Sequence, residues 1–307
     1  MTEAERRARQ ALLRRVLEGH KIWLEHPTEG ARADFTRMTL SEAKLENANL
    51  RRALLHSAVL FDCNLNGADL SEAVLESADF RKATLFQADL TGVNLSHTDF
   101  RFANLDGANL SETTMQNADF TECRLRGARM LDARIHHCDF TNASLQRAAF
   151  NHANMLEANF TDANLEEAIL YNAQISIARF RDSKVVRANF GNAKLQSCDF
   201  RDAHLNESKF IKADLGQSCF GRATMSGCDF REAKLSGADF TAAVMVGAQF
   251  GDALMFTADL RGANLQGARG LTSQQLSQSR TDNKTILPSG TPGPYLKGSG
   301  AERALLR

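Results

Sequence analysis

Proline is scarce in this 307-residue chain and absent from its long central part. The four prolines, Pro27, Pro288, Pro292 and Pro294, all lie outside residues 31–270. Proline cannot donate a backbone hydrogen bond and is excluded from the interior of a β-sheet. The proline-free centre is therefore expected to pair its N–H groups without interruption.

The chain also lacks net charge and long apolar runs. Its 37 basic residues balance 37 acidic residues, and residues 31–270 carry 26 basic and 30 acidic groups. Duplex DNA carries one charge per ~1.7 Å of its axis, so a net charge of −4 predicts neither a DNA-like surface nor direct nucleic-acid binding. No apolar stretch is long enough to span a bilayer, and the sequence does not lead us to expect a signal peptide. A cytoplasmic location without membrane contact is expected, with export by a dedicated secretion system left open.

A five-residue repeat fills the centre of the chain. Every fifth residue from Phe35 to Leu265 is Leu, Phe, Met, Ile or Val, which makes 47 consecutive central positions. Two residues earlier stands a small residue, nearly always Ala, as at Ala33 and Ala43. A period of five marks no single stripe on a helix and alternates faces on a straight strand. The repeat therefore predicts a chain that turns a corner every five residues, with each central residue pointing at the axis.

Phenylalanine indicates the number of sides. Phe fills 15 of the 47 central positions, mostly at multiples of twenty or halfway between them. A coil of twenty residues with four sides explains this spacing, and its rings would stack from coil to coil. About twelve coils at a strand spacing of roughly 4.8 Å would make a rod about 55 Å long. The predicted core ladder consists of Phe80, Phe100, Phe120, Phe140, Phe160, Phe180, Phe200, Phe220 and Phe240.

The motif A-[D/N]-[L/F]-x-x resembles the pentapeptide-repeat family over residues 31–270, as at Ala68-Asp69-Leu70 and Ala263-Asn264-Leu265. The resemblance implies an all-β solenoid, a right-handed quadrilateral parallel β-helix with four repeats per coil. For function it implies little, because most members have no assigned activity. The best understood members bind DNA gyrase by resembling DNA in size and surface charge.

The two ends of the chain differ from the repeat. Residues 1–30 are expected to form a helical cap over the open end of the β-helix, with a helix at residues 2–18 ended by Gly19 and with Leu12, Val16 and Trp23 facing the coil. Residues 271–307 are expected to form a short helix, opened by a capping box at Thr272-Ser-Gln-Gln, and a flexible tail rich in Pro, Gly and Ser.

Cysteine and histidine do not point to a disulfide, a metal or catalysis. Five of the six cysteines take the small inward position, and pairs on one side are three coils apart, roughly 14 Å, beyond the 7 Å or so that a disulfide spans. His136-His137-Cys138 is the one run that hints at a metal, but the cysteine would point inward and the histidines outward. We expect no metal, no cofactor, no small-molecule substrate and no enzymatic activity, because a filled prism offers no pocket.

Outward apolar residues suggest a contact surface instead. The candidates are Leu131, Tyr171, Ile211, Val246 and Phe256. The function expected from the sequence is a non-catalytic scaffold that binds a protein partner, with a homodimer through the C-terminal end as one form. Two alternatives are gyrase binding by DNA mimicry, which the charge balance disfavours, and an exported effector that uses the repeat as a spacer.

Overall fold

The computed structural model describes residues 3–304, with side chains described from residue 10 onward. Residues 1–2 and 305–307, at the ends of the predicted cap and tail, lie outside the described part. The chain forms two compact units, Met1–Ser144 and Leu145–Arg307. None of the described helices has the length and apolar character needed to cross a membrane.

The first unit winds the repeat into parallel coils. Parallel bridges join residues twenty positions apart, beginning with Asp34 and Leu54. At one place three consecutive residues pair between neighbouring coils. They form two short parallel strands, β1 (Thr114–Gln116) and β2 (Arg134–His136). The twenty-residue step agrees with the coil length that the phenylalanine spacing predicts.

The second unit repeats this arrangement. Strands β3 (Asn154–Leu156) and β4 (Gln174–Ser176) pair in parallel. Bridges between residues twenty apart continue as far as Gln249 and Arg269.

Backbone hydrogen bonds explain why proline is excluded from the coils. Within a unit, the N–H of a central residue typically donates to a carbonyl in the following coil, as Phe80 N does to Asp99 O at 2.7 Å. The N–H of the preceding residue donates to the previous coil, as Asp79 N does to Ala58 O at 2.9 Å. A repeat in the inner coils of a unit, such as Ala78–Lys82, therefore uses its N–H groups in both directions.

The interior of each unit consists of the central residues and the small residues two positions before them, nearly all of which are buried. The nine phenylalanines of the predicted ladder are fully buried. Their rings stack at centroid distances of 4.8–4.9 Å within the first unit, from Phe80 to Phe140. In the second unit the distances are 4.6–5.0 Å, from Phe160 to Phe240. A second stack there, from Phe190 to Phe250, meets the first edge to face.

The N-terminal helix is longer than the sequence predicts. Helix α1 runs over Glu3–Glu25, so Gly19 lies inside it instead of ending it. Gly19 O accepts a hydrogen bond from Ala31 N at 3.1 Å. A Cβ on Gly30 would lie 2.2 Å from Trp23 N and 2.5 Å from Gly19 O. Residues 30 and 31 therefore pack closely against α1 at Gly19 and Trp23 and support the helix there. This tertiary packing outweighs the local preference of glycine to end a helix.

The buried face of α1 also differs from the prediction. Leu12 is 56% exposed, whereas Leu13 is 4% exposed and His20 is fully buried. Val16 and Trp23 are half-buried. Positions 13, 16, 20 and 23 share one helix face at three- and four-residue spacing, and Leu12 is turned about 100° away from Leu13. The prediction for Leu12 is wrong because a polar residue, His20, anchors the buried face.

Helix α2 (Ser273–Gln278) begins at the predicted capping box. Thr272 Oγ1 accepts from Gln275 N at 3.2 Å, and Gln275 Oε1 accepts from Thr272 N at 2.7 Å. Gln275 Nε2 also donates to Phe250 O at 3.1 Å and to Ala253 O at 2.9 Å. The helix therefore satisfies carbonyl groups of the coil beneath it.

Part of residues 281–300 continues the β ladder, so the prediction of a flexible linker is wrong there. Asn264 bridges in parallel to Ile286, a step of 22 residues, because α2 and its flanks lengthen the coil. Thr285 is fully buried and Leu287 is 2% exposed. Pro288 and Gly298 stand in turns, whereas Pro292 pairs antiparallel with Ile286 within the packed stretch.

Candidate interaction surface

The corners of the coils determine which side chains face outward. The second residue after every central position has a positive φ, from Arg37 to Gly267, with values between 54° and 71°. This left-handed region suits Gly, Asn and Asp but is unfavourable for β-branched and bulky residues. The side chains here project from the corners and most are exposed.

Three corners carry residues that fit this backbone poorly. Phe102 has φ 63°, Ile177 has φ 58° and Thr257 has φ 57°. Phe102 is 51% exposed and Ile177 is 54% exposed, so burial offsets little of a strain of roughly 1–2 kcal/mol. The sequence analysis missed Phe102 and Ile177. Their position two residues after a central residue is the signal that could have found them.

The predicted contact residues differ in exposure. Tyr171 is 39% exposed, Val246 is 38% exposed and Phe256 is 62% exposed. Leu131, in the first unit, and Ile211, in the second, are half-buried. Tyr171, Val246 and Phe256 therefore offer the larger apolar surfaces of the five.

Tyr171 is held in place by the next coil. Its ring lies over Gly191, where a Cβ would come within 3.1 Å of Tyr171 Cδ2. The Tyr171 hydroxyl accepts a hydrogen bond from Asn192 Nδ2 at 2.7 Å. A glycine at position 191 thus allows the ring to lie flat and leaves its outer face exposed.

The repeat that carries Tyr171 and its neighbours in the coils on either side are uncharged, and the paired residues Arg147, Glu167 and Arg187 flank them. The three repeats 148–152, 168–172 and 188–192 lack all four residue types, although charged residues make up 24% of the chain. Ile169, which is 39% exposed, lies in the ladder between Ala149 and Asn189. We call this surface the Tyr171 patch: Ala149, Ile169, Tyr171, Asn189 and Gly191.

A second apolar group lies near the C-terminal end. Leu254 and Phe256 flank the buried Met255 and are 57% and 62% exposed. Helix α2 hydrogen-bonds to the backbone of this coil but leaves both side chains exposed. The predicted homodimer through this end stays a prediction.

The charged surface carries ion pairs within single repeats as well as pairs that join neighbouring coils, as Arg222 does with Asp202. Asp79 accepts from Arg81 Nε at 2.9 Å and from Arg81 Nη2 at 2.7 Å. The hydrogen bond from Arg261 lowers the pKa of Asp259 below its ordinary value. Each such carboxylate thus has an arginine two residues away, which makes the surface mixed in charge. The same geometry recurs at Asp99 with Arg101, Asp199 with Arg201, Asp229 with Arg231 and Asp259 with Arg261.

The inward cysteines are protonated fillers. Cys63, Cys123, Cys138, Cys198 and Cys228 are buried, and burial raises the pKa of Cys138, Cys198 and Cys228 to about 12. Cys138 Sγ donates to Met115 O at 2.8 Å, while His137 is exposed and His136 is half-buried. Between residues 3 and 304, no group of three or more His, Cys, Asp and Glu could hold a metal ion.

A groove of about 510 Å³ lies between α1 and the coil beneath it. Its charged residues Arg14, Glu18, Lys21 and Glu25 are exposed, so a ligand there would stay in contact with water. The groove lacks the desolvated setting that a nucleophile or a general base needs. Its lining residues are Arg14, Leu17, Glu18, Lys21, Leu24, Glu25, Asn47, Ala48 and Asn49.

Family models of pentapeptide repeats match most of the chain. A model of the pentapeptide repeat region matches residues 33–110 and 143–215. A model of eight copies matches residues 103–142, and a model of nine copies matches residues 220–264. No curated protein sequence matches the chain significantly.

Solved structures of repeat proteins also resemble the chain. HetL, a pentapeptide repeat protein involved in heterocyst differentiation regulation from the cyanobacterium Nostoc sp. strain PCC 7120, is 26% identical; the match covers 88% of this chain and 97% of HetL, with a TM-score of 0.25. QnrB1, a plasmid-mediated fluoroquinolone resistance protein, is 20% identical over 51% of this chain and 85% of its own, with a TM-score of 0.28. A pentapeptide repeat protein of the Arabidopsis thaliana thylakoid lumen is 27% identical over 33% of this chain and 70% of its own, with a TM-score of 0.19. Because these TM-scores are below 0.5, the assignment of the chain to a family rests on the family models and not on these structures.

Proposed function

The chain belongs to the pentapeptide-repeat family, and we propose that it acts without catalysis, as a rigid β-helical module that binds a protein partner. The observation that carries this proposal is Ile177, a β-branched residue that is 54% exposed at a left-handed corner with φ 58°. Such a residue lowers the stability of the free protein, so its side chain has a use outside the fold.

The Tyr171 patch supports the same proposal. Ile169 and Tyr171 are each 39% exposed, and Tyr171 is fixed by Gly191 and Asn192. A rigid aromatic side chain in a row of uncharged repeats, with paired charges along one edge, resembles a protein interface, whose centre is rich in aromatic residues and poor in charge and whose rim is polar. We therefore propose that the partner presents an apolar, weakly charged surface to the second unit.

Replacing Ile177 with Asn is expected to stabilise the protein while weakening its binding. Asn tolerates the left-handed backbone, so the free energy of unfolding should rise by roughly 0.5–1 kcal/mol, part of the strain of a β-branched residue at such a corner. Denaturant unfolding of both proteins measures this change. A lower stability of Ile177→Asn would mean that the isoleucine side chain packs favourably, against the proposal.

Binding would be tested with a double variant that combines Ile177→Asn with Tyr171→Ser. Immobilised protein would be exposed to a lysate of the source organism, and captured proteins would be quantified by mass spectrometry. A specific partner should bind the wild type and be lost from the double variant. Gln217→Asn, a polar exchange at the same kind of corner two coils after Ile177, should retain it. Equal capture by all three proteins, or no specific partner at all, would contradict the proposal.

Gyrase binding by DNA mimicry is expected to fail a direct test. The aspartates of the repeats Asp79-Phe80-Arg81 and Asp199-Phe200-Arg201 are paired with arginine at 2.5–2.9 Å, which does not reproduce the unpaired phosphates of DNA. A gyrase supercoiling assay with and without a quinolone should show neither inhibition nor protection by this protein. Protection at a stoichiometric concentration would reinstate DNA mimicry as the function.

A further inference from the structure

His20 hydrogen-bonds to the coil beneath α1 with both of its ring nitrogens. The residue is fully buried. Its Nδ1 accepts from Ala33 N at 3.1 Å, and its Nε2 lies 2.9 Å from Arg51 O. Because Nδ1 accepts, the proton of the neutral ring must be on Nε2, which then donates to the Arg51 carbonyl.

The His20 ring supplies the hydrogen-bond acceptor that a repeat before Ala33 would otherwise provide. In the following repeats the small residue donates its N–H to the preceding central residue, as Ala43 N does to Leu40 O at 3.0 Å. Ala33 belongs to the first repeat, and the residue at the corresponding earlier position is Gly30. His20 Nδ1 supplies the acceptor instead, so the neutral imidazole acts as a substitute for a peptide group at the edge of the first coil (residues 33–52).

The charged groups around the ring oppose its protonation. The Arg32 guanidinium lies 5.6 Å from the centre of the Trp23 ring, and Trp23 stacks on His20 at 5.6 Å. Arg51 faces His20 through its carbonyl, while its guanidinium is paired with Glu72. On α1 itself, the neighbouring Lys21 is exposed.

We propose that His20 is a pH-sensitive latch, which holds α1 on the first coil as a neutral ring and releases it when the ring is protonated. An imidazolium has no lone pair at Nδ1, so Ala33 N would lose its acceptor and face an N–H group. The positive charge would also be buried beside Arg32. Both problems disappear when α1 leaves the coil and the ring enters water.

The direction of the pH effect follows from the environment of the ring. Burial lowers the pKa of His20 below its ordinary value of 6.5, the hydrogen bond to the Arg51 carbonyl opposes that shift, and Arg32 adds to it. A depressed pKa in the docked state means that docking is fully stabilised above about pH 6.5. As the pH falls below that value, the docking equilibrium should weaken by up to about tenfold per pH unit until the docked-state pKa is reached.

Trp23 provides the measurement, because it is the one tryptophan of the chain and stacks on His20. Its fluorescence and anisotropy would be followed from pH 8 to pH 5 in the full-length protein. The wild type should show a reversible transition with a midpoint below pH 6.5. Gln offers both an acceptor and a donor but does not titrate, so His20→Gln should show no transition over this range, whether its helix stays docked or is released. His26→Gln, which removes an exposed histidine just after α1, should keep the transition.

Hydrogen exchange distinguishes release of α1 from unfolding of the whole unit. After correction for the intrinsic pH dependence of exchange, the amide of Ala33 should lose protection in acid, while residues 93–107 in the inner coils keep theirs. A transition that persists with the same midpoint in His20→Gln would overturn the proposal. So would its loss in His26→Gln, its absence from the wild type, or equal loss of protection in the inner coils.

Discussion

Phe200→Ala is expected to lower the free energy of unfolding by about 3–5 kcal/mol, the range for truncating a buried phenylalanine. The Phe200 ring stacks on Phe180 at 4.6 Å and on Phe220 at 4.9 Å, and meets Phe190 and Phe210 edge to face at 6.1 and 6.3 Å. Because coils above and below fix the backbone, the cavity could collapse little. Urea unfolding monitored by circular dichroism would measure the change.

Phe200→Leu is the matched control. Leucine occupies many equivalent central positions, including Leu195 and Leu205, so this exchange should lower the free energy of unfolding by less than about 1.5 kcal/mol. The difference between the two variants isolates the effect of the cavity. If both variants unfolded at the same denaturant concentration as the wild type, the phenylalanine stacks would not stabilise the second unit.

Ser197→Pro is expected to have an effect of comparable size, a loss of about 3 kcal/mol or more, as for proline in a helix interior. Ser197 is exposed, yet its φ is 58°, whereas proline holds φ near −65°. Its N–H also donates to Gly216 O at 3.1 Å, and proline has no N–H to replace it. The midpoint of urea unfolding measures this effect.

The control for this variant is Ser197→Gly. Glycine adopts positive φ readily and keeps the N–H, so its free energy of unfolding should stay within roughly 0.5 kcal/mol of the wild type, as for most surface exchanges. Proline and glycine at one exposed position would then differ by several kcal/mol. An equally stable Ser197→Pro would show that the left-handed corner and its hydrogen bond are dispensable.

Most of the coil architecture could be predicted from the sequence because the repeat tolerates no exception at its central positions. Each of the 47 central residues is apolar, and a chain that buries every fifth residue must turn at the same interval. The twenty-residue step followed from the spacing of Phe80, Phe100 and Phe120, whose rings do stack. The repeat therefore specifies both the length of a coil and the residues that point into it.

The ends and the contact surface could not be predicted in the same way. At the N-terminus, Leu12 and Leu13 are chemically identical, and only contact with the first coil decides that Leu13 is buried and Leu12 exposed. At the C-terminus, the composition of residues 281–300 suggested a linker, but Thr285 is fully buried and its hydroxyl donates a hydrogen bond to Leu260 O at 3.0 Å. In both cases a contact with a distant coil outweighed local sequence preference.

By itself the sequence determined the coil, its inward residues and the exclusion of proline. A five-residue unit repeated 47 times places equivalent residues in equivalent environments, so equivalent backbone groups make the same kind of hydrogen bond. Only the tertiary structure decided that the second corner residue of every repeat is left-handed, which turns Ile177 from an ordinary isoleucine into a strained one. It alone also showed that His20 supplies both a donor and an acceptor to the first coil. The reason is physical: a period reveals which residues share an environment, whereas strain and burial at an irregular end depend on contacts that no period encodes.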